Sequence, residues 1–113
     1  MNIENIKSKS YDFALRITIA YKHLTEEQRD FIISKEVLKS GTAIGVLIGE
    51  ADRAESASEF THKINNALKS AVETEYWLRL LLDSDYIEDS REFNAIYSDC
   101  LELTKLLKTI EEK

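Results

Sequence analysis

The scarcity of helix-breaking residues constrains the fold of this chain more than any other feature. Its 113 residues contain no proline and only 3 glycines. These two residues most often end helices and shape the turns of β-rich folds. No segment alternates apolar and polar residues over the length of a strand. The sequence therefore predicts an all-α protein whose helices are separated by polar capping residues.

Three internal segments place a side-chain acceptor three residues before Glu or Gln, which is the spacing of a helix-capping box. They begin at Thr25, Ser56 and Asp89. With a further start near Asn2 or Asn5, they predict four helices, near residues 4–24, 26–54, 57–83 and 90–111. Short connections make neighbouring helices antiparallel, so residues 1–113 are expected to form one domain, an up-down-up-down four-helix bundle.

The apolar residues of the first and last predicted helices recur at spacings of three, four or seven, as in amphipathic helices that share a core. In the first helix they are Ile6, Phe13, Ala14, Ile17, Tyr21 and Leu24. In the last helix they are Phe93, Ile96, Tyr97, Cys100, Leu103, Leu107 and Ile110. One face of each helix is therefore expected to be buried.

The net charge of the chain is −6, and a protein that binds nucleic acid with its whole surface should be basic. The charge therefore argues against such a surface. Residues 1–24 nevertheless carry four basic and two acidic side chains. The basic ones are candidate contacts to RNA or DNA: Lys7, Lys9, Arg16 and Lys22. The chain has 1 cysteine, and we find no signal peptide and no apolar run long enough to cross a membrane. A cytoplasmic protein without membrane contact is expected.

The three glycines lie four residues apart, at Gly41, Gly45 and Gly49, on the apolar side of the second predicted helix. Glycine inside a helix costs about 0.5–1 kcal/mol relative to alanine, which implies a compensating close approach by a backbone or a large ring. A tight helix crossing is one interpretation. A phosphate-binding loop is the other, but neither a preceding strand nor a following Gly-Lys-Ser/Thr supports it.

The second and third predicted helices carry more apolar surface than one core requires. On a helical wheel Ile32, Val46 and Leu47 project among charged residues, and the run Tyr76-Trp77-Leu78-Arg79-Leu80-Leu81-Leu82 is apolar nearly all round. Such surplus predicts a second interface. Leu47, Tyr76 and Trp77 join the three glycines as candidate helix-packing and oligomer contacts. Tyr76 and Trp77 are also suited to stacking on the bases of single-stranded nucleic acid.

Three segments resemble a known family: SKEVLKSGTAIGVLIGEADRAESASEF, HKINNALKSAVETEYWLRLLL and KSYDFALRI. The family is that of the bacterial four helix bundle proteins, first found encoded in intervening sequences of large-subunit ribosomal RNA genes. The resemblance implies an antiparallel bundle that assembles as a ring-like homopentamer, in most members without an established activity. One branch, the accessory variability proteins of diversity-generating retroelements, binds nucleic acid and a reverse transcriptase. This chain has Leu47 and Gly49 where the family usually has Asn and Glu.

The residues offer no catalytic, cofactor or metal constellation that would favour an enzyme. Glu59-Phe-Thr-His62 is one step of the Glu-x-x-His pattern, and a di-iron bundle needs two such steps with two more glutamates. Glu73 and Glu75 are two apart and project differently on a helix. We therefore expect a non-enzymatic, homo-oligomeric interaction or scaffold protein without a cofactor, which binds itself and another protein. The alternative is an accessory protein that binds RNA or DNA through its basic first helix.

Overall fold

A computed structural model describes residues 3–26, 31–84 and 90–111 of the protein. These residues form four helices and no strand: α1 (Ile3–Glu26), α2 (Ile33–Asp52), α3 (Ala57–Asp83) and α4 (Arg91–Glu111). The helices pack side by side into a bundle of 45 × 19 × 19 Å. The prediction of an all-α four-helix fold is therefore confirmed.

The helices occupy the corners of a square. The backbone of α1 packs against α2 and α4, and the backbone of α3 packs against the same two helices. Within the described residues, no close backbone contact joins α1 to α3 or α2 to α4. Helices α1 and α3 therefore lie at opposite corners, and their outward faces point in opposite directions.

One apolar cluster fills the space between the four helices and contains most of the residues that the periodicities predicted. Ala14 and Tyr21 of α1 are only half-buried and lie outside it, whereas Ala20, which was not predicted, is buried. The fully buried side chains of the cluster include one from each helix, Ile17, Ile44, Leu78 and Ile96. Full burial of an aliphatic side chain of this size stabilises a fold by about 1.5–3 kcal/mol. None of the helices in the described parts of the chain is both long and apolar enough to cross a membrane.

The predicted caps differ in their outcome. Ser56 is the N-cap of α3: its Oγ accepts from the backbone N–H of Glu59 at 3.0 Å, and the Glu59 carboxylate accepts from the N–H of Glu55 at 3.2 Å. The cap at Thr25 is wrong, because Thr25 lies in the last turns of α1 and donates to the carbonyl of Tyr21 at 3.0 Å. A threonine inside a helix commonly bonds backward in this way. The cap at Asp89 lies outside the described residues.

The wrong cap also displaced the predicted start of the second helix. It was expected near residue 26, whereas α2 begins at Ile33. The other predicted boundaries agree with the observed ones within two residues.

Candidate functional site

The glycine stripe lies partly against α1. A Cβ added to Gly41 would approach Cγ1 and Cγ2 of Ile17 to 3.3 Å, which is tighter than an ordinary contact. A Cβ on Gly45 would lie 3.5 Å from Oγ and 3.7 Å from the backbone oxygen of Ser10. At Gly49 the nearest atom is Nη1 of Arg53, at 3.9 Å. Only at Gly41 does α1 approach α2 more closely than an ordinary Cβ contact allows; a Cβ on Gly45 would lie at ordinary contact distance, and nothing presses on Gly49.

The seam between α2 and α3 is joined by polar bonds at two levels. Inside the core, Thr74 Oγ1 lies 2.9 Å from Ser40 Oγ. Near the end of α2, Lys63 Nζ donates to Glu50 Oε1 at 2.7 Å. The hydrogen bond from Lys63 lowers the pKa of the Glu50 carboxyl, and the same bond raises the pKa of the Lys63 ammonium. Two side chains that belong to the quoted family segments, Ser40 and Thr74, therefore bond each other.

The outward surface of α2 and α3 carries the predicted surplus of apolar side chains only in part. Tyr76 is 60% exposed. Trp77 is half-buried, packs edge-on against Tyr76 with ring centroids 5.2 Å apart, and donates its indole N–H to Glu73 at 3.3 Å. Leu47 is half-buried against the core instead of projecting among the charges. The wheel misplaced Leu47 because the covered part of a helix surface depends on where the neighbouring helices pack, which a wheel does not show.

A second exposed apolar stripe, which sequence reasoning missed, runs along α1. It consists of Tyr11, Leu15 and Ile19, each more than half exposed. The signal was present as apolar residues at i, i+4 and i+8. It escaped notice because α1 also carries a complete core-facing stripe, which includes Phe13 and Ile17.

The basic side chains of α1 lie against acids of the neighbouring helices. Lys7 Nζ is 2.8 Å from Asp52 Oδ2 on α2, and Lys9 Nζ is 2.7 Å from Glu102 Oε1 on α4. These hydrogen bonds raise the pKa of both lysines, because each acid stabilises the ammonium form. The predicted basic face is therefore largely offset within the chain.

Arg16 and Lys22 complete the predicted basic set. Arg16 Nε donates to Glu92 at 2.8 Å and its Nη1 donates to Asp99, both on α4. These carboxylates, Glu92 foremost, raise the pKa of the guanidinium. Lys22 is exposed, and no ion pair joins it to another residue of the described ranges. Among the four candidate nucleic-acid contacts, Lys22 is therefore the one whose charge is not neutralised by an acidic side chain of the described residues.

Two recesses lie along the seam between α1 and α4, on either side of Arg16. The smaller has a volume of about 160 Å³ and is lined by charged groups that include Lys9, Asp99 and Glu102. The larger has a volume of about 560 Å³, and Ile19 and Phe93 are among its apolar walls. Four charged groups of the smaller recess form two ion pairs across the seam, Lys9 with Glu102 and Arg16 with Asp99.

The remaining candidate groups have structural partners. Cys100 is fully buried, its Sγ donates to the carbonyl of Ala71 at 3.3 Å, and burial raises the pKa of the thiol to about 12. His62 is exposed, and its Nε2 lies 3.3 Å from Nδ2 of Asn66. Within the described part of the chain, no three His, Cys, Asp or Glu side chains are grouped as metal ligands.

Comparison with known proteins places the chain in a family. Residues 4–109 match the 23S rRNA-intervening sequence protein family. The chain is similar to a protein with unknown function from the S23 ribosomal protein family of Bacteroides thetaiotaomicron, whose crystal structure is known. The two sequences are 45% identical, the match covers 100% of each chain, and the two structures superpose with a TM-score of 0.94. No curated protein matches. With its four helices and this match over nearly the whole chain, the protein belongs to the 23S rRNA-intervening sequence protein family.

Proposed function

We propose that the protein is a non-enzymatic interaction module that works as a homo-oligomer, in which each copy is an antiparallel up-down-up-down bundle of one domain. The resemblance noted above favours a ring-like homopentamer in the cytoplasm, with another protein as its partner. One observation carries the proposal: large apolar side chains stand exposed on outward helix faces, among them Tyr76 at 60% and Val46 at 60%.

The ion pairs across the seams support the antiparallel arrangement. Lys7–Asp52 and Lys63–Glu50 each join the beginning of one helix to the end of another. Between α1 and α4, Lys9 pairs with Glu102 and the later Arg16 pairs with the earlier Glu92, which is the order expected of helices that run in opposite directions. Parallel neighbouring helices would instead bring the N-terminal end of one helix to the N-terminal end of the other. Such a bundle needs only short connections between consecutive helices.

Exposed apolar surface of this extent supports self-association. Single exposed apolar residues are common on soluble proteins, whereas contiguous patches mark interaction sites. Val72, Tyr76 and Leu80 are spaced four residues apart on α3 and therefore form such a patch. Full burial of side chains of this kind is worth about 1.5–3 kcal/mol each, and association provides that burial.

The environments of the potential nucleophile and acid–base side chains support the non-enzymatic part of the proposal. Cys100 is buried with a pKa of about 12, so its nucleophilic thiolate is scarcely populated at neutral pH. Glu50 and Glu73 accept hydrogen bonds from Lys63 and Trp77, respectively. These contacts give the side chains structural roles.

Multi-angle light scattering at micromolar concentration tests the proposal. A monomer has a mass of 13.0 kDa, and we expect a discrete multiple of it, about 65 kDa for a pentamer. Tyr76→Glu should lower the mass, whereas Lys105→Glu, on the exposed polar side of α4, should leave it unchanged. A mass of 13.0 kDa for the wild type over the whole range would refute the proposal.

Nucleic-acid binding is the second candidate function. It is favoured by exposed lysines other than Lys7 and Lys9, which are paired with acids. Lys22, Lys35 and Lys39 are exposed, and an oligomer would present several copies of them. Fluorescence anisotropy with RNA and single-stranded DNA at low and higher salt tests this candidate. We expect weak, salt-sensitive binding that Lys22→Glu reduces and Lys105→Glu does not. Absence of binding at low salt would eliminate this candidate.

A further inference from the structure

The seam between α1 and α4 differs from the other three seams of the bundle in how the chain connects it. A segment of chain joins α1 to α2, α2 to α3 and α3 to α4, whereas α1 and α4 are the first and last helices. Among the four neighbouring pairs, α1 and α4 also make the least backbone contact within the described residues. No connecting segment therefore tethers these two helices to each other.

The other three seams each contain a close contact inside the bundle. Helix α2 meets α1 at Gly41, where an added Cβ would come within 3.3 Å of an α1 side chain. Ser40 Oγ of α2 and Thr74 Oγ1 of α3 lie 2.9 Å apart, and Cys100 Sγ of α4 donates to the carbonyl of Ala71 of α3 at 3.3 Å. All five residues are buried. These seams are thus joined where solvent does not reach.

The seam between α1 and α4 is incompletely filled. The two recesses described above, of about 160 and 560 Å³, are both lined by described residues of these two helices. Phe13 and Leu103 form apolar walls of the smaller recess. In the larger recess the rings of His23 and Phe93 have their centroids 6.4 Å apart. Empty space thus replaces part of the packing between α1 and α4, since the walls of a gap lose the contacts that they would otherwise make.

Ion pairs span this seam along its outer surface. Lys9 of α1 pairs with Glu102 of α4, and Arg16 of α1 pairs with both Glu92 and Asp99 of α4. Each of these side chains is more than a third exposed. Charges in contact with water attract each other less as salt is added. The attraction that closes this seam therefore depends on ionic strength.

We infer that α1 and α4 separate along this seam while the other three seams stay closed, and that these three ion pairs form a latch which salt loosens. The inference goes beyond the proposed function, because it concerns a motion within one copy of the chain. Segments with few apolar contacts and exposed polar bonds are those that open locally in folded proteins. Opening exposes the inner sides of α1 and α4, including Phe13 and Phe93, which are buried in the closed bundle.

Labelling of two introduced cysteines tests which seam opens. Ala20 of α1 lines the larger recess, Ser40 of α2 lies in the seam to α3, and each is 5% exposed. An uncharged maleimide should label Ala20→Cys several-fold faster than Ser40→Cys. Circular dichroism checks that both variants fold, and mass spectrometry locates the label. Cys100 remains in both variants and reports on the seam between α3 and α4, where its labelling should stay slow.

Salt and two charge variants test the latch. Sodium chloride should speed the labelling of Ala20→Cys, and so should Lys9→Gln or Asp99→Asn at low salt, by a factor of roughly 1.5 to 5 each, the range that exposed ion pairs supply. Neither Lys9 nor Asp99 lines the larger recess, so the direct path of the reagent to Ala20→Cys is unchanged. Lys63→Gln is the matched control, because it removes the ion pair with Glu50 between α2 and α3. It should leave the labelling of Ala20→Cys unchanged.

Three results would overturn the inference. Equal labelling rates for Ala20→Cys and Ser40→Cys would mean that the bundle opens as a whole. Fast labelling of Ala20→Cys that ignores salt and both charge variants would mean that the reagent enters through the recess without any separation of the helices. An acceleration by Lys63→Gln as large as that by Lys9→Gln would mean that any lost ion pair acts through the stability of the whole bundle.

Discussion

The hydroxyl of Thr74 on α3 meets the hydroxyl of Ser40 on α2 inside the apolar core, with 2.9 Å between the two oxygens. Ser40 Oγ donates in turn to the carbonyl of Glu36 at 2.9 Å, and Thr74 Oγ1 also lies 2.7 Å from the carbonyl of Ser70. Both side chains are buried. Both polar groups have partners in the core: the Ser40 hydroxyl donates to a backbone carbonyl, and the single proton of the Thr74 hydroxyl has two acceptors within reach, Ser40 Oγ and the Ser70 carbonyl.

Breaking this pair should destabilise the bundle. Thr74→Val keeps the shape of the side chain and removes its hydroxyl, and we expect a loss of about 1 kcal/mol in the free energy of unfolding. Ser40→Ala should cost a similar amount. Because both variants remove the same bond, the double variant should cost less than their sum in urea denaturation. Strict additivity would show that the bond itself contributes nothing.

Alanine substitution should distinguish the glycines of α2. Gly49→Ala adds a Cβ with no atom closer than 3.9 Å, so the gain in helix propensity of about 0.5–1 kcal/mol should appear as a higher melting temperature. Gly41→Ala brings its Cβ to 3.3 Å from Ile17, and the resulting strain should cancel that gain. Thermal denaturation followed by circular dichroism measures both. Equal stabilisation by the two substitutions would contradict the close approach at Gly41.

The thiol of Cys100 should be unreactive in the folded protein. It is fully buried and its pKa is raised to about 12, so neither access nor thiolate is available at neutral pH. A chromogenic disulfide reagent should label it only as fast as the bundle opens, and immediately in denaturant. Rapid labelling of the native protein would show that the seam between α3 and α4 opens readily.

The Glu50–Lys63 ion pair should make stability depend on pH on the acid side. The pKa of Glu50 in the folded protein is lowered below its ordinary value of 4.5 by the bond from Lys63. The contribution of the pair is therefore complete above 4.5 and is lost as the pH falls through the lowered pKa. Glu50→Gln should be less stable than the wild type at neutral pH and should match it in acid. A difference that persists at strongly acidic pH would assign the effect to packing.

The sequence alone determined the helices and their buried faces, because both depend on residues close together in the chain. Phe13 and Ile17 are four residues apart, as are Ile96 and Cys100, so the helical repeat places each pair on one face of its helix, and both pairs are buried. The cap at Ser56 likewise needs only Glu59, three residues away. Local rules failed at Thr25, where capping the next helix and bonding backward within its own helix both suit a threonine.

Tertiary structure alone decided which surfaces are free and which charges are offset. Lys7, Lys9 and Arg16 looked like a basic face, yet their acidic partners lie 45, 93 and 76 residues away in the sequence. In the same way Ile17 presses on Gly41 while nothing presses on Gly49. The apolar stripe of α1 was visible in the sequence, but its exposure follows from where α2 and α4 pack. A helical repeat defines the two faces of a helix, and only the neighbouring helices determine which face meets water, because burial and ion pairing depend on distances in space.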